Sequence, residues 1–159
     1  MKKITLSHSK GFVLVDDVEY DQVNKHKWHL SNYGYAIRTD YRGGQKKTIM
    51  MHRQIMGITD SRVEVDHRNT NGLDNRRENL RVCVHAQNGM NRSRNKNNTS
   101  GYKGVCFKKH VKVKNWQAQI AVRGKIIHLG YFNTAMEAAL VYNEAALIHH
   151  GEFAHLNQV

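Results

Sequence analysis

Residues 65–92 carry the densest chemical pattern in the chain and read VDHRNTNGLDNRRENLRVCVHAQNGMNR. A short apolar alternation leads into Asp66 and His67, and a loop rich in Asn and Gly follows them. Residues 80–84 then have strand character, and residues 85–92 have helical character. The stretch is therefore predicted to fold as strand, loop, strand and helix. Because successive strand residues point to opposite faces, the two side chains at the end of the first strand diverge unless the chain turns there.

The sequence around this stretch is strongly basic. Its 159 residues include 25 Lys and Arg against 13 Asp and Glu, which gives a formal net charge of +12. Such a surplus on a short chain predicts a polyanionic partner, with nucleic acid first. Hydrophobic residues make up 40% of the chain, which is enough for small cores and too much for a disordered basic tail. The length allows one large domain or two small ones.

Several protein classes are excluded by composition. No stretch approaches the roughly 18 consecutive apolar residues of a membrane helix, and the N-terminus lacks a secretory apolar core. Cys83 and Cys106 form no Cys-x-x-Cys pair and are expected to be buried strand thiols. We therefore expect a cytoplasmic protein with neither a membrane nor a small-molecule substrate as its partner.

The chain is predicted to divide at a basic linker, residues 93–100, which has no apolar side chain to bury. Residues 1–92 form the first predicted domain, with its motif core at 63–92, and residues 101–159 form the second. Further strands are expected at 12–15, at 33–38 and 47–51 on either side of Gly43-Gly44, and at 102–107, 116–122 and 126–129. Helices are expected at 19–27, 52–56 and about 135–149, the last with a capping box of Thr134 and Glu137.

The side chains of the motif core suit metal-dependent hydrolysis. Hard divalent cations such as Mg²⁺ take oxygen ligands, and Asp66 with an Asn carbonyl from the returning helix can supply two. His67, with an unperturbed pKa near 6.5, can accept a proton from an attacking water at neutral pH. Together with a polybasic surface, this set predicts hydrolysis of a phosphodiester.

This constellation resembles the HNH nuclease family, specifically the ββα-metal homing endonucleases of phages and phage introns. Asp66-His67, Asn79-Leu80-Arg81 and Asn88 match its motif in order and spacing. The segment before the motif looks similar as well, through Asp16-Asp17, Lys27-Trp28 and Met51-His52-Arg53.

The resemblance implies a role for each matching residue. Asp66 would be a metal ligand, His67 the general base, Asn79 the residue that ties the loop and holds His67, and Asn88 the second metal ligand on the helix. Many members carry His at that last place, and the Asn found here favours Mg²⁺ or Mn²⁺ over Zn²⁺. Asn91, one helical turn later, is the alternative ligand.

Four further assignments concern the first domain. His52 can reach the metal or the scissile phosphate, although packing at a helix start is the favoured interpretation. Asp74 is expected to neutralise Arg76 or Arg77 rather than to touch metal. Asn71, Gly72 and Asn75 are expected to shape the loop, since Asn and Gly tolerate left-handed backbone. The arginine that would bind the scissile phosphate is one of three nearby candidates: Arg68, Arg81 or Arg92.

Residues 101–157 resemble the AP2 DNA-binding domain. The resemblance is carried by Gly101-Tyr102-Lys103-Gly104-Val105, Trp116-Gln117-Ala118-Gln119-Ile120, His128-Leu129-Gly130-Tyr131-Phe132, Ala138-Ala139, Tyr142-Asn143, Ala145-Ala146, Gly151 and Leu156-Asn157. It implies a three-stranded sheet that enters the DNA major groove, backed by one helix. The expected fold class is therefore α+β, a ββα-metal HNH domain followed by a three-stranded antiparallel sheet with one helix.

The second domain departs from the plant-type AP2 pattern on its exposed sheet face. Cys106, Ala121 and Ile126 stand where arginines would be expected, so base preferences do not carry over. A loop at 108–114 holds four lysines and no acid, which favours phosphate contact. The expected DNA-binding residues are Lys103, Lys108, Lys109, Gln119, Arg123, Lys125 and His128.

These observations predict a site-specific endonuclease of double-stranded DNA, a phage homing endonuclease that acts in the cytoplasm of the infected host cell. The alternative is a non-catalytic DNA-binding protein or repressor that retains an HNH shell. The intact Asp66-His67 pair argues against that alternative. A third class, an RNA-binding or structural nucleoprotein, conflicts with the AP2 resemblance, because the narrow major groove of RNA does not admit a sheet.

Overall fold

The computed structural model describes residues 1–7, 11–41 and 44–159. By their contacts these residues form two compact units, Met1–His85 and Ala86–Val159. Among the described residues, no helix has the length and apolar character needed to cross a membrane. The strands are β1 (Lys2–Thr5), β2 (Phe12–Val15), β3 (His29–Leu30), β4 (Ala36–Asp40), β5 (Lys47–Met50), β6 (Glu64–His67), β7 (Leu80–Cys83), β8 (Val105–Phe107), β9 (Trp116–Val122) and β10 (Lys125–Phe132). The helices are α1 (Asp17–Val23), α2 (Met51–Ile55), α3 (His85–Asn91) and α4 (Ala135–His150), with 3-10 turns at Arg77–Asn79 and Gly151–Phe153.

The first unit packs small antiparallel sheets around one apolar core. β1 pairs with β2, β4 pairs with both β3 and β5, and β6 pairs with β7. Trp28 is fully buried in the core, and its Nε1 donates to the carbonyl of Val23 at 2.8 Å, so its one polar atom is satisfied. The buried cluster comprises Ile4, Leu6, Val13, Val15, Val23, Trp28, Ala36, Met51, Ile55, Val65 and Leu80.

The β6–β7 hairpin is fixed to this core at both its strands and its loop. Val65 of β6 and Leu80 of β7 belong to the buried cluster. The loop between the strands docks on β2, because the Leu14 amide donates to the Leu73 carbonyl and the Asn75 amide donates to the Leu14 carbonyl, each at 2.8 Å. The position of the strand that carries Asp66 and His67 is therefore set by packing on one side and by backbone pairing on the other.

The second unit is an antiparallel sheet of order β10-β9-β8, covered on one face by α4. Small residues of α4, Ala138, Ala139 and Ala146, are buried against Ala118 and Ile120 of β9, so the helix sits close to the sheet. The approach is also close at Gly104, which has φ +75°. A Cβ there would run into the ring of Tyr142 and lie 2.6 Å from the Gln119 carbonyl.

The ends of α4 follow the sequence prediction. The Glu137 amide donates to Thr134 Oγ1 at 3.1 Å, which confirms the expected N-cap. The Glu137 carboxylate accepts from the amide of Asn133, one residue before the cap, at 3.1 Å. Gly151 ends the helix with φ +54°. His150 is buried at that end, and its Nε2 lies 2.9 Å from the Ala121 carbonyl, so it packs against β9 rather than facing solvent as a cationic cap.

The mixed α/β architecture is confirmed, and several element boundaries differ from prediction. The hairpin of β4 and β5 forms as expected, although Gly43 of its predicted turn lies outside the described residues. β8 begins at Val105 rather than at 102 because Gly104 turns the chain. β10 continues past Gly130 because a register shift after His128 skips Leu129 in the cross-strand pairing, and Gly130 itself pairs with Ala118. The division between the compact units falls at the start of α3, whereas the predicted linker lies at 93–100, and the functional separation of the halves stays a prediction.

Candidate active site and nucleic-acid interface

Asp66 and His67 are the last two residues of β6, and both are buried. Across the hairpin, Asp66 pairs with Arg81 and His67 pairs with Leu80. Because neighbouring strand residues alternate between faces, the carboxylate and the imidazole lie on opposite sides of the hairpin, as the sequence predicted for an unbroken strand.

His67 lies in a cluster of aromatic rings. The ring of Tyr35 stacks on it with centroids 5.7 Å apart and planes 30° apart, and the ring of His52 meets it edge-on at 5.0 Å. The side chain of His67 is only 2% exposed. This cluster draws its members from β6, from α2 and from the residue before β4, so three separate parts of the first unit position the imidazole.

The surroundings of His67 favour its neutral form. Burial lowers the pKa of the His67 imidazole below its ordinary value, while the Asn75 side chain and the carboxylates of Asp66 and Asp74 oppose part of that shift. A pKa below 6.5 leaves the imidazole unprotonated at pH 7. A neutral imidazole can accept a proton, which is the property that a general base needs.

His52 is the second residue of α2 and is buried. Burial, followed by the neighbouring His67, lowers the pKa of His52 to about 3. Its Nδ1 has no hydrogen-bond partner among the described residues. The helix-start packing favoured from the sequence is therefore found, and the same packing places the ring directly against His67.

The loop between β6 and β7 is tied by Asn79. Its Oδ1 accepts from the Asn69 amide at 3.0 Å, and its Nδ2 donates to the Asp74 carbonyl at 2.7 Å. Its carbonyl accepts from the Arg68 amide at 2.8 Å, and the His67 carbonyl in turn accepts from the Thr70 amide at 2.8 Å. These bonds close the loop immediately after His67, which is the arrangement that the HNH resemblance implied for this asparagine.

Asn71, Gly72 and Asn75 shape the loop, although not through left-handed backbone. Among the described residues of the loop only Thr70 has a positive φ, at 60°. Asparagine and aspartate side chains bind the loop backbone instead: Asn69 Oδ1 accepts from the Asn71 amide, and Asn71 Oδ1 accepts from the Leu73 amide. Gly72 is needed for space, since a Cβ there would lie 2.5 Å from the Gly34 carbonyl and 2.7 Å from Tyr35.

Asp74 pairs with Arg76, as one of the two sequence alternatives stated. Nε and Nη2 of Arg76 each lie 2.8 Å from a different carboxylate oxygen, which is a bidentate geometry. The bond to Arg76 holds the pKa of the Asp74 carboxyl below its usual range. Arg77, the other sequence alternative, forms an ion pair with Glu19 of α1 instead.

Asp66 forms a buried ion pair with Arg81. Nε and Nη2 of Arg81 approach Oδ2 of Asp66 at 2.8 and 2.6 Å. Because both side chains are buried, Arg81 is held within the hairpin and is not an exposed phosphate clamp, which leaves the exposed Arg68 and Arg92 for that predicted role. The guanidinium balances the carboxylate charge in an apolar setting that would otherwise oppose it.

The helix that carries the second predicted ligand begins next to β6. His85 Nδ1 lies 2.7 Å from Glu64 Oε1, which ties the start of α3 to the first unit. Along α3, Asn88 is half-buried and Asn91 is buried. Residues of α3 after His85 belong to the second compact unit.

The donor chemistry fits a hard divalent cation. Asp66 offers an anionic oxygen and Asn88 a neutral one, and neither offers the sulfur or imidazole nitrogen that Zn²⁺ prefers. Among the described residues, no group of three or more His, Cys, Asp or Glu side chains comes together that could hold a metal ion.

The predicted DNA-binding residues of the second unit occupy different settings. Gln119 and His128 pair across β9 and β10, on the sheet face turned away from α4. Lys109, Arg123 and Lys125 are exposed and Lys108 is half-buried. Lys103 donates from Nζ to the Met90 carbonyl, and burial lowers its pKa to about 8. Phosphate contact by these residues stays a prediction.

Comparisons with known proteins identify the family. The profile of the HNH endonuclease family matches residues 51–90, which extend from the start of α2 into α3. Over 155 residues the chain is 31% identical to a protein of Acanthamoeba polyphaga mimivirus described as an uncharacterized HNH endonuclease, with coverage of 97% of this chain and 79% of that protein. The chain belongs to the HNH endonuclease family. No solved structure matches it.

Membership of the HNH endonuclease family confirms the family resemblance seen in Asp66-His67 and Asn79-Leu80-Arg81, and indicates a DNA nuclease. The relative comes from a giant virus, so the predicted phage type has no support from this comparison. The AP2 resemblance of residues 101–157 stays a prediction.

Tyr35 was not singled out from the sequence, and Asn75 was predicted only to shape the loop. Tyr35 stacks on His67, and the fully buried Asn75 borders the same imidazole. Asn75 stands within the motif, whereas Tyr35 is brought to the site by the β3–β4 hairpin, far from the motif in sequence.

Proposed function

We propose that the protein is a divalent-metal-dependent endonuclease that hydrolyses phosphodiester bonds of double-stranded DNA at specific sites. The observation that carries the proposal is the setting of His67. His67 follows the acidic residue of the HNH motif in the strand, burial keeps its imidazole neutral at pH 7, and the loop after it is closed by Asn79. Family membership supports DNA as the substrate.

In the proposed reaction His67 takes a proton from the attacking water. The water oxygen forms a bond to phosphorus, the bond between phosphorus and the 3′ oxygen breaks, and that oxygen leaves after taking up a proton. The products are a 5′-phosphate and a 3′-hydroxyl. A positioned general base typically contributes about 10²–10⁴-fold to such a rate.

Access to His67 requires a movement beside it. His67 is 2% exposed, and the half-buried Tyr35 stacks on its ring. The Tyr35 side chain would therefore have to move aside when the scissile phosphate binds. The ring of His52 meets both Tyr35 and His67, with centroids 5.2 and 5.0 Å away, and it is held in α2, so it keeps the imidazole in place.

Asp66 and Asn88 would hold the metal ion, with Mg²⁺ or Mn²⁺ the best match to their oxygen donors. A divalent cation stabilises negative charge on the phosphate and on the leaving oxygen when bound. Arg81 anchors Oδ2 of Asp66 and so fixes the orientation of the carboxylate within the hairpin.

The second unit would supply DNA binding through an AP2-like domain at residues 101–159, joined by the basic linker at 93–100 to the nuclease domain at 1–92. Its three-stranded sheet backed by one helix has the architecture that the AP2 resemblance implies. The exposed lysines of the 108–114 loop suit phosphate contact.

A homing role belongs to the same proposal. A site-specific nuclease of this kind would act in the cytoplasm of an infected host cell, where it would cut an allele that lacks its own gene. The viral source of the relative is in keeping with such an element.

The direct test incubates the full chain with plasmid and linear duplex DNA in EDTA, Mg²⁺, Mn²⁺ or Zn²⁺. We expect cleavage with Mg²⁺ or Mn²⁺ and none in EDTA, at discrete positions, with ends that DNA ligase rejoins without prior phosphorylation. DNA binding without cleavage in any metal would overturn the proposal and leave a non-catalytic DNA-binding protein. Cleavage supported far better by Zn²⁺ would refute the oxygen-ligand argument.

A further inference from the structure

The face of the second sheet that is turned away from α4, called here the open face, exposes Ala121, Ile126 and His128, while Gln117 on it is buried and Ala86, Gly89 and Met90 border a pocket beside it. Cross-strand pairing places Gln119 opposite His128 and Ala121 opposite Ile126 on this face. Ile126 is 69% exposed, which is unusual for an isoleucine in a strand interior. The full set on the open face is Cys106, Gln117, Gln119, Ala121, Ile126, His128 and Tyr131.

Charge in this unit is divided between its two sides. Residues 86–159 contain ten Lys and Arg but only three acids, Glu137, Glu144 and Glu152, which all lie in α4 or the turn after it. Because α4 covers the other face, the open face and its flanking loops carry positive charge without compensating acids. This complementarity selects duplex DNA as the occupant, in keeping with the proposed function, on which this inference rests.

The part of the sheet that carries these residues is narrow enough to enter a groove of duplex DNA. β8 pairs with residues 116–118 of β9, and the Gln119 amide donates to the Gly104 carbonyl at 2.8 Å, so the sheet becomes two-stranded beyond Gln119. Residues 119–128 are called here the recognition ribbon. Arg123 and Gly124 close it with φ values of +49° and +77°, as in a two-residue hairpin turn. The major groove of B-DNA admits a two-stranded ribbon.

The side chains on the outward face of the recognition ribbon match one class of base pair. We propose that the recognition ribbon reads A·T base pairs, with the exposed Ala121–Ile126 pair against thymine methyl groups and Gln119 against adenine. Glutamine can bond adenine N6 and N7 together, and apolar side chains contact the thymine methyl. Guanine is typically bound by arginine or lysine side chains. On this ribbon the two such residues, Arg123 and Lys125, lie at the hairpin turn, whereas the outward positions between Gln119 and His128 hold Ala121 and Ile126.

The first experiment selects binding sites from a random duplex pool with the full chain in EDTA, so that no cleavage intervenes. We expect the selected sites to contain A·T pairs at adjacent positions. Replacing thymine by deoxyuridine in a selected duplex removes only the methyl group. The dissociation constant should then rise about fourfold for each methyl that the ribbon covers, as expected for one buried carbon.

Two neighbouring isoleucines provide a matched pair of variants. Ile126→Ala should bring the ratio of uracil to thymine dissociation constants to about one, with affinity for the uracil duplex within about twofold of the original chain. Ile127→Ala is the control, since Ile127 is one residue along β10, is 38% exposed, and pairs with Ile120 on the α4 side. It should leave the ratio unchanged.

The outcomes separate this inference from the proposed function. Binding with G·C-rich selected sites, equal affinity for thymine and uracil duplexes, or an unchanged ratio in Ile126→Ala would overturn the A·T inference while the nuclease proposal stands. A chain that cleaves DNA but selects no sequence would overturn the A·T inference and the site specificity, and would leave only the nuclease activity. A chain that neither binds nor cleaves any duplex would overturn both.

Discussion

Replacing Asn79 by alanine should disable the nuclease without touching its proposed base or ligands. The side chain of Asn79 is buried and makes two hydrogen bonds within the loop, to the Asn69 amide and the Asp74 carbonyl. A net hydrogen bond contributes about 0.5–1.5 kcal/mol, and a buried partner left unsatisfied costs about 1–3 kcal/mol. We therefore expect Asn79→Ala to lower the free energy of unfolding by roughly 2–4 kcal/mol, and to loosen the loop that follows His67.

The assay combines thermal unfolding with single-turnover cleavage of a duplex that contains one site. At the roughly 4–8 °C per kcal/mol typical of a small domain, the first unit should melt at least about 8 °C lower. Cleavage should fall at least tenfold at temperatures where the variant is still folded. Asn71→Ala is the control, because Asn71 is exposed and its side chain accepts one loop bond, from the Leu73 amide at 3.1 Å. An Asn79→Ala chain that melts and cleaves like the Asn71→Ala chain would refute the reasoning.

Three other predictions follow from the geometry. Asn88→Ala should raise the Mn²⁺ concentration needed for binding, measured by Mn²⁺ paramagnetic resonance, whereas Asn91→Ala should lower stability because Asn91 is buried; the reverse pattern would make Asn91 the ligand. Cys83, whose pKa burial raises to about 11, should react at pH 8 far more slowly than the chain's other cysteine in a timed thiol-labelling experiment. Gly104→Ala should cost roughly 2–5 kcal/mol of unfolding free energy from backbone strain plus collision, whereas Gly101→Ala, with open space around it, should show the backbone part alone.

Much of the site could be predicted from the sequence because the HNH motif is local. Asp66, His67 and Asn79 lie on one hairpin, so strand pairing alone brings them together. The pairing of Asp66 with Arg81 follows from the register of that hairpin, which residue spacing does not specify. Tyr35 could not be predicted, since its approach to His67 depends on how the β3–β4 hairpin packs against the rest of the first unit.

The same holds for the secondary structure: elements specified by their own segment were predicted, and elements that depend on a distant partner were not. α4 was predicted well because a cap, a stripe of alanines and a terminal glycine agree along one segment. β1 and β3 were not predicted because each gains its strand form from a partner elsewhere in the chain. The reason for Gly72 could not be predicted, because the glycine provides room for Tyr35, a residue distant in sequence, rather than a left-handed turn.

The central claim is that His67 is the base of a nuclease, and paired measurements on His67→Ala test it most directly. Single-turnover cleavage rates in Mg²⁺ and dissociation constants in EDTA should be measured on one duplex for the original chain, for His67→Ala and for His149→Ala, an exposed histidine of α4. We predict that His67→Ala cleaves about 10²–10⁴-fold more slowly while its dissociation constant changes by less than about threefold, and that His149→Ala matches the original chain in both. Cleavage by His67→Ala within a few-fold of the original rate would contradict the account and move the search for the base to His52.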